Sequence, residues 1–456
     1  MNAAPGQPPA PAEVDDRAYV PRWLRYAPFL GRPPALTRRQ WRVLGLVAAA
    51  SLFDQYDLGL FSLALKQIQA ELGIAEDRLG WLGAIVIFGA LPSSLLALAA
   101  DRFGRRRLLL VTIVAYTVLT GATAFAPNAE TFVALQFLAR TFVTAEIVLA
   151  IVVVAEEFDA DTRGWGIGAL SALALCGHGL ALALFSLVDV LPFGWRALYG
   201  VGLVPLALIA VLRRGLPETP HFERHAAART GTGSLRDVLR PLADLVRVYP
   251  ERAAALGGVA FLLAFAERAA SFFAAKYVQE AHGWEPVHYA LLGFVGGFFA
   301  IFANTLAGRW SDRFGRRRLA VLFLALHPPL VLAFYNGSGA WLPPLWITMT
   351  FSGMAAGVLL RTFATELFPT SYRSTAAGAL AVVTTLGAVL GLSAQSLLYG
   401  VLGSHWEAIS ILVFFALAAP FVVRFALPET SGRALDEISP ERASAPAPRE
   451  SPRAAR

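Results

Sequence analysis

Ionisable side chains inside apolar sequence are costly to bury, so they are the first candidates for chemistry in this chain. Asp54 and Asp57 stand three residues apart in an otherwise apolar run. On a helix that spacing puts both on one face, about 4.5 Å apart along the axis. Two carboxyls so placed cannot both ionise cheaply, and one is expected to hold its proton towards neutral pH. Arg140 and Glu146, six residues apart in another run, lie about 9 Å apart along a helix and about 120° around it. They are expected to face different neighbours, Arg140 meeting Asp57 either as a responsive pair or as a static clamp between helices. Glu267 and Arg268 are adjacent and point about 100° apart, so one can face a cavity and the other a neighbouring helix. His178 is either a hydrogen-bonded packing residue or a proton shuttle. Tyr56, Phe272 and Phe273 line a cavity or pack.

These residues need elements to position them, and composition says which. Of 456 residues, 56% are hydrophobic and 16% charged, more apolar surface than a water-soluble domain can cover. Twelve apolar runs recur, at 41–70, 79–100, 108–126, 130–155, 165–190, 196–212, 253–279, 287–307, 319–335, 341–364, 374–400 and 406–426. Each is near the roughly 20 residues that cross a bilayer, and lipid forces the helical form. The expected fold is an all-α membrane protein of twelve transmembrane helices. Arginines cluster beside alternate spans (Arg38, Arg39 and Arg42; Arg105 to Arg107; Arg163; Arg316 to Arg318), while the first opposite loop carries Glu71, Glu76 and Asp77. The positive-inside rule then predicts both termini in the cytoplasm. The net charge of +7 belongs to these loops, so nucleic acid is not an expected partner. No cleavable signal peptide is read; the first span is expected to act as its own signal.

An internal repeat divides the spans. The octapeptide DRFGRRRL occurs at 101–108 and again at 312–319, and PET recurs at 217–219 and 428–430, both pairs 211 residues apart. Glu156 precedes Arg163 as Glu366 precedes Arg373, by seven residues, and Lys66 and Lys276 follow Asp57 and Glu267 by nine. The predicted organisation is a cytoplasmic tail (1–36), a six-helix bundle (37–212), a connector (213–252), a second bundle (253–430) and a tail (431–456). Parallel repeats of this kind suit two bundles that rock about a shared midplane site. Each Lys falls on the face opposite its acid, about 14 Å further along the helix. Reaching into headgroups is the plainer reading; attracting anions at the outer mouth is the alternative.

The stretches ALAADRFGRRRLLL and AGRWSDRFGRRRLAV resemble the loop signature of the major facilitator superfamily and its second-half echo. AEEFDADTRG, TELFPTSYRS, LPETP and LPETSGRALDEI resemble motifs of its sugar-porter and organic-acid branches. The sequence departs from the pattern at Ala97, Asp159 and His221, and at Gln136, where the branch carries an Arg that Arg140 follows by one turn. The resemblance implies the major facilitator fold and an inner gate made of Asp101, Arg102, Gly104, Arg105, Arg106, Glu156, Arg163, Gly308, Asp312, Arg313, Gly315, Arg316, Arg317, Glu366 and Arg373. It also implies that Asp57, at the branch's acidic position, couples transport to protons.

The resulting expectation is a secondary transporter in a bacterial inner membrane, a functional monomer in the lipid bilayer. It moves a small molecule with H⁺, without a cofactor, and is not an enzyme. No P-loop accompanies a strand, so ATP drive is not expected. Mixed charges and the FDQYDLGLF stretch, which resembles the aromatic-acid branch, favour an organic or aromatic acid. A sugar or polyol symporter, a drug or organic-cation exporter, and a transport-dead sensor or scaffold are the alternatives.

Overall fold

A backbone in lipid must satisfy its own N–H and C=O groups, and the apolar runs do so as helices. The computed structural model describes residues 21, 30, 33–96, 104–214, 235–433 and 435–439. The first sequence half holds α1 (Arg38–Leu63), α2 (Leu65–Leu72), α3 (Leu79–Phe88), α4 (Arg105–Thr123), α5 (Ala129–Glu157), α6 (Ala160–Phe185) and α7 (Trp195–Arg213). After α8 (Leu235–Val248) come α9 (Pro250–Ala281), α10 (Pro286–Phe314), α11 (Arg316–Asn336), α12 (Leu342–Glu366), α13 (Arg373–Leu402), α14 (His405–Ala416), α15 (Ala419–Ala426) and the single turn α16 (Leu435–Ile438). Eleven helical stretches among the described residues are long and apolar enough to cross a membrane, and Arg107–Thr123 adds a shorter one. The twelve expected spans are all present as helices. The expected tails fall largely outside the described residues, as does the first part of the connector, whose remainder forms α8 and the start of α9.

Local sequence explains where these helices start and break. Thr37 and Gln40 form a reciprocal capping box at the start of α1, which satisfies two otherwise orphaned donors. Asn128 accepts from the Thr131 amide at 2.9 Å to open α5. Gly104 and Gly315, at the same place in the two octapeptides, have φ of 96° and 100° and open α4 and α11. That backbone region is open mainly to glycine. The second span is interrupted after Phe88 by a turn ahead of Pro92. The Gly89 carbonyl there accepts from Thr141 Oγ1 at 2.7 Å, which repairs the break.

The chain divides into two compact units, Met1–Ala75 with Ile85–Gly231 and Val278–Leu291, and Glu76–Ala84 with Thr232–Tyr277 and Leu292–Arg456. In the first, α1 packs most extensively on α6, and α4 lies against α5 and α7. Gly177 of α6 meets the Leu52 carbonyl of α1 so closely that no side chain would fit between them. In the second, α11 packs on α12, α14 and α15, and Gly391 of α13 meets the Phe265 carbonyl of α9 in the same manner. Each unit thus contains a tight helix crossing that a small residue makes possible.

Candidate functional site

The buried charges of the first unit sit on α1, α5 and α7. Asp54 is 0% exposed, and neither carboxyl oxygen has a hydrogen-bond partner among the described residues. Asp57, one turn on, is also buried. Glu146 and Arg213 form an ion pair with both side chains fully buried, and Thr112 Oγ1 donates to the same carboxylate at 2.5 Å. The charges of Glu146 and Arg213 act on Asp54, and that of Arg140 acts on Asp57. Three carboxyl groups therefore share two guanidiniums in this unit, one acid more than the bases neutralise.

Other first-unit residues occupy different places. Tyr56 is buried and donates its hydroxyl to the Leu198 carbonyl at 2.6 Å, joining α1 to α7. His178 is exposed on α6 and stands over Gly59 of α1, where nothing larger than hydrogen fits easily. Arg213 was not among the expected site residues. An arginine ending a transmembrane helix reads in sequence as a headgroup anchor, and only the fold brings Glu146 to it.

In the second unit, Glu267 Oε2 lies 2.5 Å from His327 Nε2. His327 Nδ1 lies 3.2 Å from both the Met349 carbonyl and Ser352 Oγ. Ser352 gives its own proton to that carbonyl at 2.9 Å, so Nδ1 is left to act as the donor. The contact at Nε2 then requires one further proton, on the ring or on the carboxyl. The pair is built to hold a proton between them. His327 was also unforeseen; a lone His before Pro328 and Pro329 carries no spacing that links it to Glu267. Arg268 is half-buried beside Glu267, and Phe272 and Phe273 are buried. Lys276 does not reach outwards as the plainer reading expected: it is 0% exposed and lies 3.2 Å from Glu76.

The second octapeptide carries the remaining cluster. Asp101 and Arg102, and the side chains of Arg105 and Arg106, lie outside the described residues. In the second copy Arg316 bridges Asp312 at 3.0 Å and Glu366 at 2.7 Å. Glu429 accepts from the Arg316 and Arg317 amides at 2.8 and 3.2 Å, capping α11 from the PET motif. Ser431 Oγ donates to the Asp312 carbonyl. Arg313 is exposed over Phe314, Arg373 opens α13, and Gly308 sits in α10. In the first copy Glu156 is half-buried and Arg163 exposed. The neighbouring Glu157 takes Arg39 at 2.5 Å.

Comparison with known proteins follows the same lines. The family model of the Major Facilitator Superfamily matches residues 47–254 and 256–453. A cis,cis-muconate transport protein of Acinetobacter baylyi is 26% identical over 360 residues, covering 77% of this chain and 86% of its own. A 4-hydroxybenzoate transporter of Pseudomonas putida is 25% identical over 433 residues, covering 87% and 94%. In the crystal structure of a D-xylose-proton symporter the fold recurs with a TM-score of 0.71 at 18% identity, over 86% of this chain and 99% of that one.

Proposed function

We propose, from the premise that the chain belongs to the Major Facilitator Superfamily, that this transporter carries a small aromatic or unsaturated organic acid together with a proton. Membership makes it a multi-pass membrane transporter that works by alternating access, and not an enzyme. The observation that carries the coupling is Asp54, fully buried with both oxygens unpartnered, beside a complete Glu146–Arg213 pair. An unpaired carboxylate in such a place costs several kcal/mol, and a protonated one far less. The excess acid is therefore neutral until the surrounding helices rearrange and open. Proton release on the side of higher pH then drives the return, and each charge moved is worth about 2.3 kcal/mol per 100 mV.

The cargo reading rests on two supports. The 4-hydroxybenzoate and muconate carriers resemble this chain over most of its length, and two buried cations (Arg213, Lys276) with two half-buried ones (Arg140, Arg268) suit an anionic cargo better than a neutral sugar. Arginine clustering and bacterial relatives support a bacterial inner membrane with both termini cytoplasmic. One chain holds both charge clusters, which supports a monomer as the working unit, with the lipid bilayer around it.

The test is uptake into proteoliposomes. With an acidic exterior, the wild type accumulates 4-hydroxybenzoate or cis,cis-muconate, and Asp54→Asn lowers that accumulation at least tenfold while leaving exchange of labelled for unlabelled acid. Accumulation of D-xylose or an organic cation, with neither acid moved under either pH gradient, overturns the reading.

A further inference from the structure

Glu76 is held in the second unit much as a bound carboxylate would be. Lys276 Nζ lies 3.2 Å from its Oε1, and His405 Nε2 lies 2.8 Å from its Oε2. Gln395 Nε2 sits 2.5 Å from His405 Nδ1, so Nδ1 accepts and Nε2 carries the proton that points at the carboxylate. The His405 ring is stacked between Phe273, at 4.6 Å, and Tyr399, at 4.2 Å. Exposure is unequal: the Lys276 side chain is 0% and the His405 side chain 4% exposed, while that of Glu76 is 39%. The two donors are fixed in the fold, and the acid is the removable member.

The segment bearing Glu76 is also seated by shape. It comes from the first sequence half, 200 residues before Lys276, yet residues Glu76–Ala84 cluster with the second unit. The Trp81 amide donates to Ser396 Oγ at 3.0 Å. A Cβ on Gly80 would come within 2.5 Å of the Leu392 carbonyl oxygen and 2.6 Å of Ser396 Oγ. The segment stays because Gly80 lets it lie directly on α13.

We propose that Lys276 and His405, walled by Phe273 and Tyr399, form a carboxylate-binding cradle for the transported acid, and that Glu76 occupies it as an internal stand-in. The inference rests on the organic-acid reading and gives it a location. A fully buried ammonium needs a counter-charge. When the 76–84 segment leaves, an incoming carboxylate supplies that charge, and Phe273 and Tyr399 keep the His405 ring fixed between them to donate to it. Cargo and Glu76 thus compete for one site, at the end of the helices opposite the repeated octapeptides.

Binding of benzoate to the full-length protein in nanodiscs, by titration calorimetry, tests this. Glu76→Gln removes the competitor's charge, and benzoate is expected to bind at least tenfold tighter than to wild type. Gly80→Val, which unseats the segment without touching the cradle, shifts affinity the same way. Adding Lys276→Met or His405→Phe to Glu76→Gln reverses the gain, and neutral benzamide responds to none of the changes. If Glu76→Gln is too unstable for calorimetry, benzoate raises its melting temperature more than that of wild type. Equal or weaker benzoate binding by Glu76→Gln, or tight binding that survives Lys276→Met, overturns the cradle. Wild-type uptake of 4-hydroxybenzoate alongside either result leaves the transport reading standing. Absence of acid uptake with tighter benzoate binding by Glu76→Gln overturns that reading and keeps the cradle.

Discussion

The two sequence halves repeat their helices and loop geometry but not their buried charges. Arg213 and Arg424 stand 211 residues apart at the ends of corresponding spans. Arg213 is buried because Glu146 meets it; Gly357 stands at the matching place for Glu146, and Arg424 is exposed over Phe425. Tyr116 and His327 are also 211 apart. Tyr116 gives its hydroxyl to the Phe53 carbonyl at 3.1 Å, whereas His327 meets Glu267. A duplicated scaffold therefore tolerates divergence wherever a charge and its partner change together. The first half keeps an excess acid with a finished ion pair beside it, and the second keeps a proton-sharing pair and a buried ammonium.

The sharpest way to break that contrast is to swap one member. Arg213→Met leaves Glu146 buried without its cation, which should cost about 3–5 kcal/mol of stability. Thermal unfolding in detergent reads this as a large fall in melting temperature, while Arg424→Met leaves it unchanged. The double variant Arg213→Met with Glu146→Leu should recover most of the loss, because an apolar pair needs no counter-charge. Equal melting temperatures for Arg213→Met and Arg424→Met would remove the difference between the halves.

Arg213 also marks how far the sequence could be read. Span positions, the helical class and the duplication follow from apolar run length and repeated strings, since lipid leaves the backbone few options. The second-copy contacts of Arg316 with Asp312 and Glu366 lie within motifs whose residue types already suggested pairing. The partners of the intramembrane charges were not legible in the same way. Arg213 with Glu146, His327 with Glu267, and Lys276 with Glu76 are contacts between helices distant in sequence. Helical periodicity fixes which face a residue takes, but it does not say which helix that face meets. Tyr56 shows the converse: an aromatic next to a functional acid reads as cavity lining, yet its hydroxyl is committed to Leu198.

A smaller effect separates Tyr116 from His327. His327→Phe takes from the part-exposed Glu267 carboxylate its imidazole partner, and a hydrogen bond to a charged group is worth about 1.5–3 kcal/mol. Tyr116→Phe removes one hydrogen bond to Phe53, worth about 1 kcal/mol. Proton-driven uptake sharpens the comparison beyond stability. If the second-half pair carries a proton during transport, His327→Phe lowers acid-driven accumulation several-fold, and Tyr116→Phe does not. Parallel losses of uptake in both variants would mean that the second half has no separate proton site.

The smallest predicted effect concerns the loop ends, where the halves are most alike. Gly104 and Gly315 share one unusual backbone conformation, and in the second half Glu429 holds the first amides of α11. A carboxylate at a helix start satisfies orphan donors and meets the positive end of the helix dipole, for about 1 kcal/mol. Glu429→Gln keeps the shape and one acceptor but loses the charge, so melting temperature should fall only slightly. Transport should respond more than stability, because Ser431, next along the same strand of backbone, ties the segment to the Asp312 carbonyl and Arg316 bridges Asp312 to Glu366. Loosening Glu429 frees the start of α11 and with it that bridge, which biases this end of the unit towards opening. A drop in uptake rate with near-native melting temperature fits a gate; matched losses in both would reduce Glu429 to a helix cap.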